Sequence, residues 1–158
     1  MKKIVSFLIV LIMLISLIPS KVFATDTIIT FADLNLQKAI CQWLGKPNGS
    51  TIYQSDLNTK VTTSKFLWLA NLGITDLSGM EYFAGAGLSD INLDGNSITN
   101  IAPLASITSL KGVSFNDSKV SDLSPLRGSA RKTRILYVKT YITKIPIYSK
   151  SSLDISVF

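Results

Sequence analysis

Asp90, Asn92 and Asp94 stand at alternate positions and Gly95 follows them. In a calcium loop of the EF-hand type, that spacing supplies the first oxygen ligands and the sharp turn behind them. The closing bidentate carboxylate would fall at position 101, which is Ile101. Ile91 and Leu93, lying between the three polar residues, are needed as core, so the stretch reads as a strand and not as a metal loop. The chain has no His and a single Cys, Cys41. That removes Ser-His and Cys-His nucleophile pairs, the commonest zinc ligand and any internal disulfide. Acidic residues are sparse, and Asp76, Asp117 and Asp122 fall at turns. No Gly-rich phosphate loop or metal-ligand spacing is present. The expectation is a protein that is not an enzyme, with no metal, no cofactor and no small-molecule substrate.

A repeat positions the Asp-Asn-Asp row. Leu88, Ile91, Leu93, Ile98, Ile101 and Pro103-Leu104 recur twenty-two residues later as Leu110, Val113, Phe115, Val120, Leu123 and Pro125-Leu126. An earlier copy, Leu67, Leu69, Ile74, Leu77 and Met80, precedes Ile91, Leu93, Ile98, Ile101 and Leu104 by twenty-four. Its two extra residues fall between Tyr82 and Gly87, where Gly-Ala-Gly suits a loop. A worn later copy, Ile135, Tyr137, Ile142 and Ile145, follows at twenty-two, with Ile147-Tyr148 in place of Pro-Leu. Within each unit, Ile91 and Leu93 alternate with polar neighbours, the mark of a short half-buried strand. The Ile-x-x-Ile-x-Pro-Leu stretch returns along the other side and fills the interior. One unit cannot bury its apolar side alone, so the units must stack into a solenoid with a parallel sheet on one face. Asn96 lies where the chain leaves the strand, and its amide suits the backbone groups that the bend leaves unpaired. Its equivalents are Leu72, Ser118 and Thr140.

The ends differ from the repeat. Lys2 and Lys3, the apolar run Ile4 to Ile18, and the small-residue site Val22-Phe23-Ala24 follow the grammar of an export signal. Cleavage after Ala24 is expected. The alternative is an uncleaved membrane tether, but the run is shorter than the ~20 residues of a spanning helix. Without residues 1–24 the net charge falls from +6 to +3. Residues 25–126 then carry −3, and residues 127–158 carry +6. Before the repeats, Asp33 or Asn35 can cap a helix that runs to about Leu44 and stops at Gly45. Leu36, Ala39, Ile40, Trp43 and Leu44 form one apolar stripe. That stripe would cover the open end of the first repeat. Cys41 beside it reads as a small buried or half-buried hydrophobe and not as a reactive thiol.

Two segments carry a resemblance to a known family. INLDGNSITNIAPLASITSL is the repeat, and ITFADLNLQKAICQWLGKPNGSTIYQSDL with LGITDLSGMEYF is the segment before it. Together, over about Ile29 to Leu126, the chain resembles the internalins, secreted and surface leucine-rich-repeat proteins of Gram-positive bacteria. The resemblance implies an α/β repeat solenoid, right-handed and curved, with short parallel strands on the concave face and an N-terminal helical cap. It also implies recognition of other macromolecules by that face, without catalysis. The expected organisation is a signal peptide (1–24), a helical cap (25–62), about four leucine-rich repeats, the last degenerate (63–148), and a C-terminal tail (149–158). Internalins usually carry more repeats, an immunoglobulin-like domain and a wall anchor. A truncated remnant without a specific partner therefore stands as the alternative.

The outward strand positions form a grid. Phe66, Trp68 and Ala70 come first, then Asp90, Asn92 and Asp94, then Gly112, Ser114 and Asn116, then Arg134, Leu136 and Val138. From it, Phe66, Trp68, Asp90, Asn92, Asp94, Ser114, Asn116 and Arg134 are the expected contacts to a protein or glycan partner at the cell surface. Phe66 and Trp68 have a second reading, as packing against the cap. Four strands at ~4.8 Å make a face ~19 Å across, a few hundred Å2, against the ~800 Å2 per partner of a standard interface. The basic residues of 127–150 could meet anionic wall polymers and hold the protein to the wall, or be a solvated edge. Export argues against nucleic acid as a partner.

Overall fold

A computed structural model describes residues 26–127 and 134–135. The export segment, the positions Leu136, Val138 and Thr140, the tail, and nearly all of the basic stretch lie outside the described residues. In chain order the elements are β1 (Ile28–Ile29), α1 (Leu34–Leu44), β2 (Ile52–Tyr53), α2 (Gln54–Thr63), β3 (Phe66–Trp68), β4 (Asp90–Asn92), β5 (Gly112–Ser114) and β6 (Arg134–Ile135). Three 3-10 turns, Met80–Phe83, Ala102–Ser106 and Ser124–Arg127, lie between the later strands.

Strands β3 to β6 form one parallel sheet in sequence order. The register sets Phe66, Asp90, Gly112 and Arg134 side by side, and Leu67, Ile91, Val113 and Ile135 beside them. Those are the offsets of twenty-four and twenty-two in the sequence. Backbone pairing runs past the strand ends. Leu69 and Asn71 N–H donate to Asn92 and Asp94 C=O, and Leu93 and Gly95 N–H to Ser114 and Asn116 C=O. The return stretches also meet, Ser97 N–H on Ile74 C=O and Lys119 N–H on Ile98 C=O. Pro103 stands at the start of its 3-10 turn, where a missing N–H costs nothing. The 3-10 turns stack in chain order, one on the next. The repeated apolar positions, from Leu67 through Phe115 to Leu126, are buried in one continuous core.

The bend after each strand needs two things. One is a left-handed residue, and Asn71 (φ 58°), Gly95 (φ 65°) and Asp117 (φ 51°) take that position in successive units. These are residue types that enter this region at least cost. A side chain at Gly95 would also overlap the Asn71 carboxamide of the unit before it. The other need is a partner for buried backbone. Asn96 is 3% exposed. Its Oδ1 accepts from the N–H of Leu72 (3.2 Å) and Ile74 (3.0 Å). Its Nδ2 donates to the C=O of Leu69 (2.7 Å), Leu93 (2.9 Å) and Asp94 (3.3 Å). One amide thus ties two consecutive units. At the equivalent place in the next unit, the Ser118 hydroxyl accepts from Val120 N–H. Leu72, the first equivalent, carries no polar group, and the Asn96 amide reaches back to its N–H.

The helical segment adjoins the first repeat. Asp33 caps α1 through Asn35 and Leu36 N–H (2.8 and 3.1 Å), and Gly45 ends it in the left-handed region. Leu36, Ala39, Ile40 and Cys41 are buried, while Trp43 and Leu44 are partly buried against the core. The other oxygen of Asp33 accepts from Thr75 N–H (2.8 Å), the Thr75 hydroxyl (3.1 Å) and Asp76 N–H (3.3 Å) in the first repeat. Neither α2 nor the antiparallel pair β1–β2 is foreshadowed by the sequence pattern. Only Leu57 and Val61 of α2 are buried, too few for a visible apolar stripe. The Asp56 carboxylate accepts from Tyr53 N–H at the head of α2 (2.8 Å) and pairs with Lys46.

Two outcomes are expected. Asn96→Ala leaves several buried backbone groups without partners and should lower stability by about 3 kcal/mol or more. The midpoint of urea unfolding measures it. Burial alone would raise the Asp33 carboxyl. The hydrogen bonds from Thr75, Leu36 and Asn35 outweigh it and hold the group below the usual carboxylate range. Asp33 therefore stabilises the fold above about pH 4, and that contribution vanishes as the pH falls through the lower, folded value. Asp33→Ala should cost about 1–2 kcal/mol at pH 7. Its urea midpoint should converge on the parent's as the pH drops below 4.

Candidate functional site

The sheet register decides which side chains share the outward face. Leu67, Ile91 and Val113 turn into the core. Phe66, Trp68, Asp90, Asn92, Asp94, Ser114 and Asn116 alternate with them or with their extensions. The two aromatics of β3 are the open part, Phe66 at 45% and Trp68 at 64% exposure. Their rings lie against each other, centroids 5.9 Å apart and tilted by 53°. The helical segment does not cover them. Trp43 of α1 donates its indole N–H to the Phe66 carbonyl (3.2 Å) and packs its ring on Phe83. So α1 grips the backbone of β3 and leaves both outward rings to solvent.

The polar row is tied together. Asp94 Oδ1 accepts from the Ser114 hydroxyl and from Asn116 N–H (2.7 Å), and its Oδ2 from Asn116 Nδ2 (3.4 Å). Asn92 Oδ1 accepts from Asp94 N–H (2.9 Å). Asp90 accepts from the Ser89 hydroxyl. Of the expected contacts, Ser114 lies lowest on the face. Ser114 is only 9% exposed, and its hydroxyl is spent on Asp94. It braces the face and offers little to a partner. Arg134 stands opposite Gly112 in β6, and its side chain lies outside the described residues.

A shallow hollow of about 390 Å3 opens on this face, lined by Phe66, Asp90, Asn92, Asp94, Ser114 and Asn116 with Ile91, Gly112 and Val113 below them. Gly112 is the sequence signal for it, since a glycine at an outward strand position leaves a gap in the row. Asp90 opens β4, and Asp94 stands just past its end, at the turn that Gly95 completes. Among the described residues no three His, Cys, Asp or Glu side chains gather as a metal site. Nor is any described helix long and apolar enough to cross a membrane.

Parallel strands of fixed register, 3-10 returns and an asparagine closing the bend together define a leucine-rich-repeat solenoid. Known proteins bear this out, although no family model matches the chain. Over 72 residues, 46% of the chain, it is 32% identical to leucine-rich repeat-containing protein 56 of Rattus norvegicus, and the match spans 13% of that protein. In structure it is similar to an internalin (inlF) from Listeria monocytogenes, with TM-score 0.56 and 27% identity over 66% of this chain and 30% of that one. It is also similar to the functional domain of InlJ from Listeria monocytogenes, with TM-score 0.60 and 25% identity over 74% of this chain and 24% of that one. Internalin C2 of the same organism shares the fold, at TM-score 0.50 and 24% identity, over 73% of this chain and 58% of that one. The chain is an internalin-like leucine-rich-repeat protein that spans less than two thirds of the length of these relatives.

The hydrogen bonds separate bracing residues from free ones. Asp94→Ala should cost about 1–3 kcal/mol, because it strips the Ser114 hydroxyl and the Asn116 amide of their acceptor. Trp68→Ala, at an open position, should stay within about 0.5 kcal/mol of the parent. Urea midpoints of the two variants at unchanged slope test this.

Proposed function

We propose that this protein is an exported, non-catalytic binding module that holds a macromolecular partner on the outward face of its sheet. The observation that carries the reading is the exposed pair Phe66 and Trp68 beside the hollow. Large aromatic side chains are seldom left open in a monomer, and at interfaces they supply most of the affinity. The internalin-like fold supports a protein-interaction module. In this reading the face is the concave one of a curved solenoid, with α1 and α2 as its N-terminal cap. Export through residues 1–24 belongs to the same proposal and accounts for a partner at a cell surface, a protein or a glycan. The face is smaller than a standard interface, so its few anchors dominate binding. Phe66, Trp68, Asp90, Asn92, Asp94 and Asn116 are the proposed contacts, with Arg134 at the far strand.

Selection of random displayed peptides on residues 25–158 tests this. Most selected binders should lose at least tenfold in affinity against the Phe66→Ala/Trp68→Ala double variant, with its far-ultraviolet dichroism unchanged. Binders that hold the double variant as tightly as the parent would sink the proposal.

A further inference from the structure

The proposed face also carries a charge that fixes the chemistry of what it meets, and the inference rests on that docking reading. Asp90 and Asp94 are the charged residues among the nine that line the hollow. Asp90 opens β4 and Asp94 follows its end, four residues on, which is about 13 Å of extended chain. The Asp94 carboxylate is locked by Ser114 and Asn116, so its charge stays on the face. Asp90 has one oxygen on the Ser89 hydroxyl, and its other oxygen has no hydrogen bond among the described residues. The rings of Phe66 and Trp68 stand at the edge of this row, Phe66 in register with Asp90 and Trp68 with Asn92. The described cation-π contacts fall elsewhere, Lys46 over Tyr53 and Lys60 over Trp43.

We infer that the partner is a peptide segment bearing arginine or lysine, whose cations sit between the aromatic pair and the Asp90/Asp94 row. A neutral ligand that covered the hollow would strip water from two carboxylates and return no opposite charge. A guanidinium satisfies both neighbours at once. It pairs with a carboxylate through its donors and stacks its plane on an exposed ring. Two cations at i and i+4 of an extended segment match the Asp90 to Asp94 distance.

The test uses residues 25–158 and a ten-residue peptide with two arginines four apart, beside a twin in which both are citrulline, the same shape without the charge. Indole fluorescence, with Trp68→Phe to assign the signal, reads the binding. The arginine peptide should bind at least tenfold more tightly than its twin. Asp90→Asn should remove most of that preference, and raising the salt from 50 to 500 mM should weaken the arginine peptide far more than the twin. Equal binding of the two peptides, or a preference that survives Asp90→Asn, overturns the inference. So does Trp68-dependent binding of neutral oligosaccharides on a glycan array in the absence of arginine-peptide binding. In those cases binders that still need Phe66 and Trp68 leave the docking reading intact. If the double aromatic variant binds everything as the parent does, the docking reading fails with it.

Discussion

The buried amide of Asn96 is where the repeat becomes a structure. A chain that turns out of a strand toward the interior carries N–H and C=O groups into a place without water. Each unpaired group there costs more than a typical hydrogen bond gains. Asn96 offers two donors and one acceptor oxygen on a short arm, and it bonds the backbone of its own unit and of the one before. Between these two units the amide adds to the pairing that the sheet already supplies. With the bend closed, the left-handed residue before it, the strand register and the apolar return can all repeat. Apolar burial then supplies the bulk of the stabilisation, through one core that runs from Ile29 to Leu126.

Much of this was legible because the solenoid is nearly one-dimensional. Residues twenty-two apart are neighbours, so a sequence alignment of the chain with itself is also its strand register. The positions of Leu67, Ile91 and Val113 and the place of Asn96 could be read that way, while cap chemistry narrowed the start of α1 to Asp33 or Asn35 and gave the Gly45 stop. Other features could not. The helix α2 buries only Leu57 and Val61, and its start depends on a carboxylate that also pairs with Lys46. The left-handed position is filled by Asn71, Gly95 and Asp117, three residue types that share a backbone tolerance but no obvious letter pattern. The bonds from Asp33 to Thr75 and Asp76 join positions more than forty residues apart outside the repeat period. Periodicity carries no information about such a contact.

The face shows the same division. Alternation tells which residues point outward, and it placed Phe66, Trp68, Asp90, Asn92, Asp94, Ser114 and Asn116 on one side of the sheet. It does not tell which of them are already engaged. Ser114 and Asp94 have equal claims in the sequence, yet their mutual bond buries one and fixes the other. The rings of Phe66 and Trp68 could equally have packed on the preceding helix. What decides the matter is Trp43, which fills the joint through Phe83 and the Phe66 carbonyl and so makes further aromatic packing there unnecessary.

That joint has a consequence for recognition. An aromatic pair at the end of a sheet would ordinarily sit on the most mobile strand, where ordering on contact consumes binding energy. Here β3 is held on both sides, by β4 through the ladder and by α1 through the Trp43 indole. Asp33 fastens α1 to the turn that follows the same strand. The exposed rings therefore stand on backbone that is already fixed, and little freedom remains to be lost when a partner arrives. For a face too small to gain affinity from area, rigid placement of a few anchors is the available route to useful binding. It also explains why the rings belong at this end of the sheet. The first repeat is the unit that the helical segment can brace directly.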